Sequence, residues 1–214
     1  MTKRVNRRML LGGAALVAIG AGAAGLIKTQ SAEAALAPGA QAPNFSVVDA
    51  RGQTRTLSEF AGRTLILEWT NHGCPYVGRV YGAGGMQDTQ RAALAGDAAW
   101  LTVISSAPGE QGYLEGPAAL AHAQSVDSEP TAILLDPSGD MGHAFGARTT
   151  PHIFIINGGG RIVYQGAIDD RPTARASTPL GENYVLAALD DLAAGRPVAR
   201  AQTTPYGCSI KYAG

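Results

Sequence analysis

The chain has 214 residues, 45% of them hydrophobic and 16% charged, with 17 basic and 17 acidic side chains. That is enough apolar chain for one sizeable core and points to a single folded domain. Residues 1–34 hold five of the basic side chains and one acidic, leaving a net charge of −4 on the rest, and nothing suggests the basic face of a nucleic-acid surface, so no nucleic-acid partner is expected.

Residues 1–34 read as an export signal, and residues 35–214 as the folded domain. Lys3, Arg4, Arg7 and Arg8 form a positive start, Met9 to Ile27 is apolar, and Ala32-Glu33-Ala34 offers small residues for cleavage. Arg7-Arg8 followed by Met9-Leu10-Leu11 resembles a twin-arginine signal, although adjacent arginines also fit an ordinary export signal. An exported, periplasmic location follows. Residues 9–27 are also long enough to stay as a membrane anchor, which their five glycines would weaken.

Phe45 to Asp49 and Thr54 to Leu57 read as an N-terminal hairpin around Ala50-Arg51-Gly52-Gln53, and Ser58 as the cap of a helical turn through Phe60. Leu65-Ile66-Leu67-Glu68-Trp69 has the continuous apolar pattern of a strand buried on both faces. A helical stretch is predicted from Pro75 to Leu94, interrupted by Gly82, Gly84 and Gly85. Strands follow at Trp100–Ser105 and Thr131–Leu135, with a short helix at Pro117–Ser125 between them. A helical turn from Met141 to Phe145 stops at Gly146. Ile153–Ile156 and Arg161–Tyr164 flank Asn157-Gly158-Gly159-Gly160, a strong hairpin signal. Asn183–Ala194 is an amphipathic helix closed by Gly195 and Pro197, and the remaining tail to Gly214 reads as irregular. Helices alternating with buried strands, then a late hairpin, predict an α/β fold with a mixed sheet.

The chemistry centres on the two cysteines, Cys74 and Cys208, which stand 134 positions apart. Cys74 follows a buried strand and precedes Pro75, a residue suited to the first helical position. A sulfur at a helix start meets unpaired N–H groups and the positive end of the helix dipole, which stabilise a thiolate. Such a sulfur also leaves readily from a mixed disulfide. The alternative is a static staple joining tail to body, which a loop this long would make worth about 5 kcal/mol.

The stretch Leu65 to Val77, with Asn71-His72-Gly73-Cys74-Pro75-Tyr76, resembles the active-site segment of the thioredoxin superfamily, and Gly146 to Ile156 continues the likeness. The resemblance implies a cis-proline at Pro151, after Thr150, facing the active cysteine, and a buried acid at Glu68 that relays protons to it. Gly166-Ala167-Ile168-Asp169-Asp170 and Tyr206-Gly207-Cys208-Ser209-Ile210-Lys211-Tyr212 narrow the likeness to exported redoxins similar to the alkyl hydroperoxide reductase/thiol-specific antioxidant (AhpC/TSA) family, from about Gly39 to Tyr212. The implied fold is thioredoxin-like, with an N-terminal β-hairpin and an irregular Cys-bearing C-terminal tail.

The sequence departs from its relatives in two places. Val77 stands where thioredoxins carry a second cysteine, so Cys74 is not resolved from its own helix. Leu67 and Asn71 replace the proline and threonine of the peroxiredoxin motif, and the arginine that peroxiredoxins place beside the peroxide is replaced around Pro151. Asn71, Thr70 or His72 could supply substitute hydrogen bonds.

These residues imply a thiol-dependent oxidoreductase with an antioxidant role. Cys74 is the nucleophile, passing through a sulfenic acid or a mixed disulfide. Cys208, on a mobile tail, is the resolving thiol, within one chain or across a homodimer, and Pro151 is the substrate-side gate. The substrate is a hydroperoxide or a protein disulfide. No flavin or nucleotide fingerprint is present, so no cofactor is expected and electrons come from an external protein donor. A non-enzymatic alternative gathers Cys74, His72 and His152 around a soft metal in an interaction module; otherwise no metal is expected and the two histidines are partly exposed loop residues. Trp69 reads as packing, Tyr76 as either groove or helix cover, and Asp169-Asp170 as a turn or capping feature.

Overall fold

The computed structural model describes residues 36–214; the export signal and the anchor segment expected over residues 1–34 lie outside them. No helix of the described residues is long and apolar enough to cross a membrane.

Strand β1 (Ser46–Val48) pairs antiparallel with β2 (Thr54–Thr56), forming the expected hairpin. A short 3₁₀ turn, Leu57–Phe60, follows. Its cap is Thr56 rather than Ser58, because the Glu59 carboxylate reaches back to accept from the Thr56 N–H at 2.6 Å.

Strand β3 (Leu65–Trp69) is buried along its whole length because it has a strand on each side and helices or loops on both faces. It runs parallel to β4 (Ala99–Ile104), which is parallel in turn to β5 (Ala132–Leu135). On its other side it is antiparallel to β7 (His152–Ile156), which pairs with β8 (Ile162–Gly166). The sheet order is β5-β4-β3-β7-β8. Asn157 shapes the β7–β8 turn by accepting from the N–H groups of Gly159 and Arg161, both at 3.0 Å.

The helical stretch after Cys74 is two helices, α1 (Pro75–Gly82) and α2 (Gly85–Ala95). The break falls at Gly84, whose φ of 76° favours glycine. Helices α1 and α2 share one face of the sheet with α5 (Tyr184–Ala193), packing Val77, Val80, Met86 and Val185 against Ile66, Trp100, Ile153 and Ile155. Asn183 caps α5, its side chain accepting from the N–H groups of Val185 and Leu186 at 3.0 Å, a device worth about 1 kcal/mol. Helix α3 (Gly116–Ser125) covers Ile104 and Ile133 through Ala119. Helix α4 (Asp140–Phe145) lies on the opposite face, where Met141 and Phe145 meet Leu65, Leu67, Trp69 and Phe154. Burying each such large apolar side chain contributes about 1.5–3 kcal/mol.

The tail is irregular as expected, except that strand β6 (Thr149–Thr150) pairs antiparallel with the short β9 (Cys208–Ser209). The open backbone edge of β6 supplies partners that an isolated tail lacks, and Tyr212 fixes the far end by donating to the Ala147 carbonyl at 2.8 Å.

Candidate active site

Strand β3 delivers the chain to a tight loop at its end. Within it the Asn71 side chain accepts from the Gly73 N–H at 2.8 Å and donates to the Gln111 carbonyl at 3.1 Å. The Asn71 carbonyl accepts from the Cys74 N–H at 3.0 Å. Cys74 is then the N-cap of α1, with extended backbone (φ −84°, ψ 122°) and Pro75 in the first turn. Its sulfur therefore sits at the positive end of the helix.

The thiol is only 1% exposed. It lies 3.1 Å from the Thr150 carbonyl, to which it can donate. The Thr150–Pro151 peptide is cis. Opposite, the β6–β9 register places Cys208 directly across from Thr150. Both cysteines are unbridged thiols. Burial alone would push the Cys74 thiol up. Hydrogen bonds from the Cys208 thiol, the Val77 N–H, the Thr150 side chain and the Cys208 backbone reverse this, leaving Cys74 below the usual thiol value. Cys208 moves the other way: burial raises it, and it is raised further by donating to Cys74 and by the charge there. The two shifts are opposed, drawing Cys74 toward the thiolate and Cys208 toward the thiol.

Glu68 is fully buried beneath this face, and burial pushes its carboxyl up to about 7. The opposing hydrogen bonds come from Trp100 Nε1 at 2.9 Å, the Tyr81 hydroxyl at 2.9 Å, Gln90 Nε2 at 3.3 Å and the Thr102 hydroxyl at 3.5 Å. Neither cysteine is among these partners. Thr70 is half-buried, its N–H donating to the Val103 carbonyl at 3.0 Å.

The two histidines expected near the sulfur separate. His72 is exposed and its ring centre lies 5.5 Å from that of His122. His152 is 3% exposed rather than a loop residue. The pleat sends His152 and Phe154 to the Trp69 face, whereas Ile153 and Ile155 face the cluster holding Cys74. His152 Nδ1 accepts from the Arg148 N–H at 3.3 Å, and burial pushes its pKa down to about 3. No group of three or more His, Cys, Asp or Glu side chains able to hold a metal is assembled among the described residues. The Cys74, His72 and His152 metal module is thus not formed. Trp69 packs in the core against Phe145 and Phe154.

Arg79 carries no signal in the sequence, and Asp169 and Tyr206, which enter there through the family likeness, turn out to be its partners. Arg79 on α1, fully buried, forms a two-pronged ion pair with buried Asp169 at 2.9 and 3.2 Å. The Tyr206 hydroxyl accepts from Arg79 at 2.6 Å and donates to Asp169. Asp169 is therefore a core ion-pair partner rather than only a turn residue. Asp170 has the loop role, accepting from the Glu182 N–H at 3.0 Å. An arginine between Val77 and Val80 looks like an ordinary solvated helix residue until its partner is placed.

The sequence model of the AhpC/TSA family matches residues 38–165. The chain belongs to the AhpC/TSA family. The matched part holds Cys74, Glu68 and Pro151 and ends before Asp169, Tyr206 and Cys208. No match is found among proteins of curated function. This AhpC/TSA protein is similar in structure to a hypothetical protein of Sinorhizobium meliloti 1021, with a TM-score of 0.75 at 24% identity over 84% of this chain and 96% of that one. A conserved protein of Geobacillus kaustophilus gives 0.74 at 24% identity, covering 82% and 92%. A solution structure from Bacteroides thetaiotaomicron, described as a candidate protein disulfide isomerase, gives 0.53 at 18% identity, covering 77% and 92%. The fold of this family member is thioredoxin-like.

Proposed function

We propose that this AhpC/TSA protein is a two-cysteine thiol oxidoreductase in which Cys74 attacks and Cys208 resolves. The observation that carries the reading is the meeting of the two thiols at the start of α1, with Cys208 seated opposite Thr150. In the first step the Cys74 thiolate attacks one sulfur of a substrate disulfide, forming a mixed disulfide and expelling the other sulfur as a thiolate. Cys208 then loses its proton and attacks the Cys74 sulfur. That step forms the Cys74–Cys208 disulfide and releases the second substrate thiolate. Two electrons have passed to the substrate, and an external protein dithiol returns them.

The raised pKa of Cys208 suits this order. While Cys74 is charged, Cys208 stays protonated and donates to it. Once Cys74 is capped that charge is gone, and only the part of the rise due to burial remains on Cys208. The approach of Cys208 to Cys74 in a single chain supports resolution without a second copy. Glu68, buried on the same side of the sheet and carrying a proton near neutrality, is the reservoir nearest in character to the task.

Family membership favours a second oxidant. A hydroperoxide would convert the Cys74 thiolate to a sulfenic acid with release of an alcohol or water, and Cys208 would condense with it, losing water. Asn71, at the place of the peroxiredoxin threonine, spends its side chain on the Gly73 N–H and the Gln111 carbonyl, which favours the disulfide substrate.

The test is to treat the reduced full chain with one equivalent of oxidised glutathione, or of hydrogen peroxide, and follow its mass. Closure of an intrachain Cys74–Cys208 disulfide is expected, with Cys208→Ser halting at the glutathione adduct. A wild-type chain that also halts at the adduct overturns the reading. A peroxide rate no faster than that of free cysteine removes the peroxide branch.

A further inference from the structure

Two charges buried in a protein core are a poor source of stability, because desolvation offsets most of their attraction. Arg79 and Asp169 are both fully buried, and Arg79 Nε is buried without a partner. Their placement asks for another explanation, and the connections of the pair supply one. Arg79 belongs to α1, the helix that Cys74 caps. Asp169 follows β8, accepts from the Gly181 N–H at 2.9 Å, and so fixes the loop before α5. Both converge on the Tyr206 hydroxyl, two residues before Cys208. The Tyr206 ring also packs on Tyr76 of α1, with ring centres 5.9 Å apart. The helix carrying one thiol and the tail carrying the other are thus joined through one buried hub.

We infer that Tyr206 is a positioning residue for the resolving step: its hydroxyl, gripped by Arg79 and Asp169, holds Cys208 in register with Thr150 and against Cys74. The inference rests on the two-cysteine reading above. Beyond Cys208 the tail is held by the two-residue β6–β9 ladder, by the Ile210 N–H on the Arg148 carbonyl at 3.1 Å and by the Tyr212 hydroxyl on Ala147, but before Cys208 the nearest anchor other than Tyr206 is Thr203, whose N–H donates to the Gln165 carbonyl at 3.0 Å. On that side Tyr206 shortens the free span between anchor and thiol to two residues, about 7 Å of extended chain. With Ile210 held on the other side, the thiol is fixed from both directions, and freeing one of them lowers the effective concentration of Cys208 at Cys74.

The experiment compares full-length wild type, Tyr206→Phe and Tyr212→Phe. The second variant also removes a tail hydroxyl contact, but beyond Cys208. The Cys74–Cys208 disulfide is equilibrated with glutathione, the Cys74 thiolate is titrated, and thermal unfolding is recorded. Y206F is expected to lower the effective concentration of the pair by about tenfold or more. It is also expected to move the Cys74 titration upward as the Cys208 donor drifts away, with Y212F unchanged in both. A Y206F protein matching wild type in both readings overturns the inference, as does an equal loss in Y212F. If Y206F does not fold, Tyr206→Met takes its place; loss of fold in both assigns Tyr206 to stability and overturns positioning. A wild type that never closes the disulfide defeats the two-cysteine reading instead.

Discussion

Thr150 and Cys208 face each other across a two-residue antiparallel ladder, and the Cys74 thiol points at the carbonyl of the same Thr150. One backbone position thereby fixes both sulfurs. The adjoining residue, Gly207, makes this possible. Its φ of 139° and its approach to the Thr150 carbonyl leave no room for a Cβ.

Gly207→Ala is therefore expected to lift β9 from β6 and slow closure of the Cys74–Cys208 disulfide by about tenfold or more, while the glutathione adduct on Cys74 still forms. Rapid-quench alkylation with mass detection measures both steps. Wild-type closure kinetics in G207A would mean that the ladder does not set the approach of the two thiols.

Glu68 should make the protein less stable as pH rises. In the unfolded chain the carboxyl titrates near 4.5, and in the fold burial pushes it to about 7. Between those values the folded state holds a proton that the unfolded state has released, so unfolding stability falls with increasing pH. The contribution is complete below pH 4.5 and lost above about 7, a swing of about 3 kcal/mol. Urea midpoints across this range should fall less steeply in Glu68→Gln than in wild type. Parallel profiles would refute the shift.

His152 should act with the opposite sign. Its pKa falls from 6.5 in the unfolded chain to about 3 in the fold, because burial and the nearby Arg148 charge oppose protonation. Over that interval the unfolded chain binds the extra proton, and stability is lost as pH falls. The loss reaches about 5 kcal/mol at most. His152→Asn, which keeps an acceptor for the Arg148 N–H without the titration, should move the acid unfolding midpoint to lower pH. Circular dichroism against pH measures it, and an unmoved midpoint would show that His152 is not held neutral.

The elements whose causes are local are legible in consecutive residues. The apolar run Leu65–Trp69, broken only by Glu68, specifies a central strand, Cys74-Pro75 a helix start, Asn157–Gly160 a hairpin turn, and the spacing after Asn183 the helix α5. Each of these depends on neighbours within a few residues, so its pattern is written in consecutive letters. Even at that range the cap is Thr56 rather than Ser58, because Glu59 reaches back to the Thr56 N–H. Where Cys208 docks, which face receives His152, and the burial of Arg79 emerge only from contacts between distant parts of the chain. Thr150 meets Cys208 across 58 residues, and Arg79 meets Tyr206 across 127. Strand pairing at an edge is made by backbone groups that every residue carries. A buried arginine has the same letter as a solvated one. Such contacts leave no local signature, and only the folding of the whole chain brings them into being.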